Sequence, residues 1–158
     1  MREILFKAKL KNWKVNSQQN KWVEGYYLSR KETTYCVKED YERNPVKTLH
    51  YIAVDSVTDW GLPNEFLLYE IDPDTLCQYT GLFDKNGNKI LENDICSTDI
   101  KRPYAIVEFR NGCFMYNLND GAEDYYDIMM PTEPLVDSDK YTEVIGNIFD
   151  NTELLKSV

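Results

Sequence analysis

Residues 78–95, QYTGLFDKNGNKILENDI, crowd oxygen-bearing side chains around one glycine, the raw material of a calcium loop. A helix–loop–helix calcium site takes oxygens at positions 1, 3 and 5, glycine at 6 and a bidentate glutamate at 12. Counted from Asp84, positions 1, 3 and 5 are Asp84, Asn86 and Asn88, but the glycine falls at 4, Lys89 at 6 and Ile95 at 12. The sharp turn is misplaced and the closing carboxylate is missing. A turn fits better, because Asn and Gly both accept the positive φ that tight hairpins demand. Tyr79, Leu82 and Phe83 before it, with Ile90 and Leu91 after it, predict a hairpin with its tip at Asn86–Gly87. Asp84 is then placed to accept backbone hydrogen bonds across the tip.

Other chemistry finds less support. Glu92, Asp94, Asp99 and Glu108 are the carboxylates that could converge on Mg²⁺, as phosphodiester hydrolysis requires. Yet the chain has no phosphate-cradling glycine loop, no GxSxG and no HExxH. One histidine, His50, and four cysteines (Cys36, Cys77, Cys96 and Cys113) give no CxxC pair. That spacing argues against structural zinc, and a Cys–His nucleophile has no further support. The expectation is a non-enzyme with no catalytic residue, no metal and no cofactor. Among the polar residues of the stretch, Gln78, Thr80, Glu92 and Asp94 are candidates for a binding surface. The alternative is structural: Gly81 and Gly87 serve turns, and Glu92 and Asp94 hydrogen-bond within loops.

Charge narrows the partners. The formal net charge is −9. Residues 1–31 hold eight basic residues against Glu3 and Glu24, a local +6 that leaves −15 for the rest. An acidic chain repels phosphate backbones, so broad nucleic-acid binding is disfavoured. A local exception stays open where Lys7, Lys9 and Lys11 interleave with Trp22 and Tyr26, the pattern of a single-strand groove. A second nucleic-acid-linked option is the acidic 118–140 region acting as a phosphate mimic. A third needs no nucleic acid: the basic and acidic regions attract each other between subunits, which salt would weaken.

The elements that must position these residues read as strands. Ile4, Phe6, Ala8 and Leu10 alternate with Lys7, Lys9 and Lys11, predicting a half-buried strand whose lysines line a solvated face. The polar turn 16–20 and KWVEGYYLS complete a hairpin. TTYCV, TLHYIAVDSV and FLLYE read as further strands, with His50 inside the second as a packed or edge histidine and a Gly/Pro loop, TDWGLPNEF, before the third. QYTGLFD, KILENDICS, YAIVEFRNG, CFMYNL and EVIGNIF continue the pattern. The acidic insertion is irregular apart from one short strand at YYDIM, and DNTELL closes in a helical turn capped by Asp150 or Asn151. The Asp-Pro turn at Pro73 divides the chain into domains 1–72 and 73–158. The start MREILFKAKL is interrupted by lysines and lacks the apolar core of a signal peptide. No stretch approaches the ~20 apolar residues of a membrane span. The expectation is a cytoplasmic chain with reduced thiols, mostly packed as small apolar groups, and no membrane partner.

The same residues carry a resemblance. QYTGLFDKNGNKILENDIC resembles the signature of the YopX family of bacteriophage and prophage proteins. Gln78 to Leu82, Asp84 to Gly87, Ile90, Glu92, Asp94 and Ile95 match it, while Asn93 stands where the family has glycine and Cys96 where it has valine. MREILFKA, KWVEGYYL, IDPDTLCQYTG, VEFRNGCF and VIGNIFDNTELL match the flanking pattern in order. Departures cluster at 31–70 and 118–140. The resemblance implies a mainly β protein of two small barrel-like domains with few short helices, in a bacterial host cytoplasm. It further implies self-association through the N-terminal domain, with no enzymatic activity to carry over. The functional expectation is a phage-derived accessory protein that binds a host or phage protein, or assembles with itself as a homo-oligomer. The alternative is one of the two nucleic-acid-linked roles above.

Overall fold

The computed structural model describes residues 3–12, 22–98, 104–117, 132–134 and 138–156. The turn at 16–20, the strand expected at YYDIM, Asp99 and most of the acidic 118–140 region lie outside them. The chain divides into two compact units, one of Leu5–Leu76 and one of Cys77–Val158 with Met1–Ile4.

In the unit of Leu5–Leu76, β1 (Phe6–Lys9), β2 (Trp22–Lys31), β3 (Thr48–Ser56) and β4 (Glu65–Glu70) pair antiparallel in the spatial order β4-β3-β2-β1. The predicted period-2 hairpin forms, with Phe6 opposite Gly25 and Lys9 opposite Trp22. One face collects Ala8, Ile52 and Ile71, with Phe6, Val23, Tyr27, Val54 and Leu76 packed against them. Gly25 is required there: a Cβ would strike the carbonyl oxygen of Ala53 on β3. The first and last strands meet at one end, through a bridge between Leu10 and Ile71. Lys11 N–H donates to Glu70 O at 3.0 Å and Asp72 N–H to Lys9 O at 2.9 Å. The sheet is therefore drawn round like a barrel at that end, while β4 remains its edge elsewhere.

TTYCV differs from expectation. Residues 33–37 are irregular, and a short helix, α1 (Lys38–Arg43), follows. Pairing of β2 stops at Lys31 opposite Thr48, so no neighbour remains for a further strand. Tyr35 instead packs edge-on to Tyr41 at 5.3 Å, and its amide donates to the Tyr41 hydroxyl at 3.1 Å. Glu39 and Asp40 in the first turn suit a helix N-terminus.

In the unit of Cys77–Val158, β5 (Cys77–Phe83) and β6 (Lys89–Leu91) form the predicted hairpin. Then β7 (Asp94–Thr98), β8 (Ala105–Arg110), β9 (Cys113–Asn117), β10 (Thr132–Pro134) and β11 (Thr142–Asn147) form an antiparallel sheet in the order β10-β9-β8-β7-β11. A short helix, α2 (Ser138–Tyr141), precedes β11, and a 3₁₀ turn over Leu154–Lys156 answers the expected helical turn. Ile90, Cys96, Ala105, Val107 and Tyr116 are its core, joined by Phe114 and Val144. Tyr116 Oη lies 2.5 Å from Thr142 Oγ1, and burial pushes its pKa up to about 12. The mainly β expectation holds, with two antiparallel sheets and no closed barrel among the described residues.

KILENDICS does not run as one strand. It breaks at Glu92–Asn93, where Asn93 adopts φ 68°. Cys77 and Cys96 are buried as small apolar groups, but Cys36 and Cys113 are exposed, and none of the four is in a disulfide. No helix among the described residues is long and apolar enough to cross a membrane.

Candidate functional site

The signature stretch is held by its own polar atoms. Asp84, 2% exposed, accepts at Oδ1 from the amides of Asn86 and Asn88, at 2.9 and 2.8 Å. Its Oδ2 accepts from Asn88 Nδ2 at 3.1 Å and from the Val144 amide of β11 at 3.1 Å. Gly87, at φ 81°, takes the left-handed position of the turn, and its amide donates to Asp84 O at 3.0 Å. Burial raises the Asp84 pKa, but the bonds from Val144, Asn88 and Asn86 together outweigh it and hold the carboxyl below its ordinary value. This is the role expected of Asp84, extended by a link to β11 that local sequence does not show.

The four candidate binding residues divide. Thr80 is buried; its Oγ1 donates to Ile90 O at 2.8 Å and accepts from Leu82 N–H at 3.2 Å. Asp94 is buried, and its Oδ2 accepts from the Leu91 amide at 2.8 Å. Gln78 is half-buried, and its carbonyl accepts from the Glu92 amide at 2.9 Å. Glu92 is also half-buried; burial pushes its carboxyl pKa up, bonds from the Gln78 and Phe109 amides oppose this, and Glu108 adds to the rise. The turn that breaks KILENDICS is tied on two further sides: Asn93 N–H donates to Val107 O at 2.7 Å and Ile148 N–H to Asn93 O at 3.1 Å. The available sequence signal was glycine at position 93 in the resembled pattern, which marks a left-handed residue. Among the described residues no three His, Cys, Asp or Glu side chains are grouped as a metal site would need.

The candidate cationic residues sit in the other unit. Lys7 and Lys9 place their ammonium groups 4.5 and 5.3 Å from the centre of the Trp22 ring. Lys9 is fully buried, so the expectation that these lysines line a solvated face fails at this position. Its aliphatic stem is long enough to pack while the charge rests on the indole. Lys11 is exposed and pairs closely with Glu70, whose hydrogen bond raises the lysine pKa. Tyr26 is exposed and meets Phe66 edge-on at 6.2 Å. His50 is packed as expected, with Nδ1 2.7 Å from Tyr27 Oη and the two rings stacked.

An apolar surface on the β3–β4 hairpin was not foreseen. Phe66 and Leu68 of β4 are 60% and 56% exposed, with Leu67 and Tyr69 also open. In the connecting loop Val57 is 85% and Trp60 99% exposed, and Leu62 lies beside them. Scattered exposed apolar residues are ordinary, but a contiguous group on an edge strand is the surface that natural proteins guard against pairing. The overlooked signal was Trp60 and Leu62 in TDWGLPNEF: large apolar residues in a loop that Gly and Pro had already excluded from a core. Beside the C-terminal end of β4 a cavity of about 540 Å³ opens, lined by Lys11, Lys47, His50, Glu70, Ile71 and Pro73 among others.

A family model described as YopX protein matches residues 12–156. The crystal structure of protein EF1440 from Enterococcus faecalis is similar over 99% of this chain and 100% of that one, at 20% identity and a TM-score of 0.49. No curated protein matches.

Proposed function

Because the chain belongs to the YopX family, we propose that it is a phage- or prophage-derived accessory protein of the bacterial cytoplasm that acts by binding protein, first of all itself, without catalysis. The exposed edge strand β4, with Trp60 in the loop before it, is the observation that carries this reading. Free backbone groups along an edge and apolar side chains on both faces are what strand addition uses for affinity and specificity. The signature supports the non-enzymatic part, since Thr80, Asp84 and Asp94 spend their polar atoms inside the fold. Lys7 and Lys9 resting against Trp22 weigh against that ring as a stacking platform for bases.

The test is the mass of the purified full chain by light scattering over a concentration series, with nuclease treatment and at low and high salt. A concentration-dependent oligomer free of nucleic acid is expected. Co-purifying nucleic acid that nuclease removes together with the oligomer would favour the nucleic-acid reading.

A further inference from the structure

We propose that Asn111, at the tip of the β8–β9 hairpin, is a site of spontaneous covalent modification, losing its side-chain amide to become aspartate and isoaspartate. The Asn86–Gly87 tip of the signature is shielded from the same reaction. The chain holds two Asn-Gly pairs, Asn86–Gly87 and Asn111–Gly112, and both are exposed turn tips.

The chemistry needs only water and base. The backbone nitrogen of the glycine gives up its proton to hydroxide and attacks the side-chain carbonyl carbon of the asparagine. A carbon–nitrogen bond forms, closing a succinimide ring, and the side-chain nitrogen takes a proton from water and leaves as ammonia. Water then opens either ring carbonyl. One opening gives aspartate; the other gives isoaspartate, with the main chain running through the former side chain. Glycine suits the second position because it has no side chain to obstruct the attack.

The two tips differ in what holds the reacting atoms. The Gly87 N–H donates to Asp84 O at 3.0 Å, so its proton is engaged and its nitrogen fixed. The Asn86 N–H donates to Asp84 Oδ1 at 2.9 Å, and the Asn86 side chain hydrogen-bonds to the Glu143 carboxylate. The Asp84 carboxylate, held in its charged form by these amides, also opposes a negative charge on the nitrogen next to them. At the other tip Arg110 pairs with Cys113 across Asn111, at φ 53°, and Gly112, at φ 85°, the left-handed pair of a type I′ turn. Among the described residues nothing hydrogen-bonds to the Asn111 side chain or to the Gly112 N–H, and a Cβ on Gly112 would meet open space. Ring closure must rotate the asparagine out of its turn conformation. At Asn111 this disturbs the terminal Arg110–Cys113 pair; at Asn86 it breaks the bonds to Asp84 and Glu143 as well. The rate follows the population of the opened tip, so Asn111 reacts first. Isoaspartate lengthens the main chain inside a two-residue turn, and β8 and β9 then lose the geometry that sets their register.

The test incubates the folded full chain at mildly alkaline pH and follows both asparagines over time by digestion and tandem mass spectrometry. Asn111 should be modified about tenfold or more faster than Asn86. Equal rates, or faster loss at Asn86, overturn the assignment. So does a folded chain that keeps both asparagines while the chain in guanidinium loses both. Unfolding in guanidinium should erase the difference between the two sites; a difference that persists would put its cause in the neighbouring sequence and overturn the structural argument. Asp84→Asn, which keeps one acceptor oxygen, should raise the rate at Asn86 more than at Asn111. No rise at Asn86 overturns the shielding by Asp84.

Discussion

Removing the Asp84 carboxylate should cost the fold more than any other single change in the signature. Asp84→Ala strips the acceptor from the amides of Asn86, Asn88 and Val144 and from Asn88 Nδ2. A hydrogen bond to a charged group is worth about 1.5–3 kcal/mol, and a stranded buried donor costs a similar amount. The turn amides can reach water once the tip loosens, whereas the Val144 amide sits in β11, so the expected loss is about 3–4 kcal/mol. Asp84→Asn should lose less, about 2 kcal/mol, because one oxygen still accepts while the new NH₂ meets the donors of Val144 and Asn88. The assay is urea unfolding of wild type and both variants at pH 7 and pH 3, read as midpoints at constant m. The folded pKa of Asp84 is below its ordinary 3.8, so its stabilisation is complete above 3.8 and is lost as pH falls through the lower folded value. The gap between wild type and Asp84→Asn should therefore narrow from pH 7 to pH 3. A gap under ~1 kcal/mol at pH 7, or one that does not change with pH, would refute the assignment of Asp84 as the organising acceptor.

Further outcomes follow from other residues. Glu92 has a raised folded pKa, so its ionisation opposes folding: stability falls as pH rises from below 4.5 through the folded value. Glu92→Gln should flatten that fall in urea midpoints between pH 4 and 7, since a glutamine oxygen can still accept from Gln78 and Phe109. Asn93→Gly should stabilise by about 0.5 kcal/mol and Asn93→Val should destabilise by more than about 1 kcal/mol, as left-handed φ requires; thermal unfolding reads both. Gly25→Ala should destabilise by about 2–3 kcal/mol through the clash with the Ala53 carbonyl, also read by thermal unfolding. Thiol labelling of the native chain should modify Cys36 and Cys113 quickly. Cys77 and Cys96 should react only on unfolding, because both are buried and burial pushes the Cys96 pKa far up.

Much of the architecture could be read from local pattern, because it is local. Alternation located β1, the polar turn after it and the run KWVEGYYLS located β2, apolar content located β3, and Asn86–Gly87 located the hairpin tip, since turn chemistry depends on adjacent residues. What could not be read depends on neighbours distant in sequence. TTYCV has strand-like residues but no strand to pair with. KILENDICS reads as one strand, yet Asn93 turns it, held by Val107 and Ile148 on either side. Lys9 belongs to the polar half of an alternating strand, and only the position of Trp22 shows why it can be buried. FLLYE reads as a strand from its residues alone; that β4 is an edge follows only from the order of the strands.

The bonds to Asp84 also differ in when they can form. Those from Asn86 and Asn88 close a few residues of chain, whereas the one from Val144 spans 60 positions. Short closures cost little entropy and can precede the main barrier; long ones reward the chain only after the sheet has assembled. Loosening the turn at Asn88 should then slow refolding, while a change that removes only the reach to Val144 should mainly hasten unfolding. One carboxylate would thus act at two stages: first in starting its hairpin, then in setting how long the finished unit stays folded.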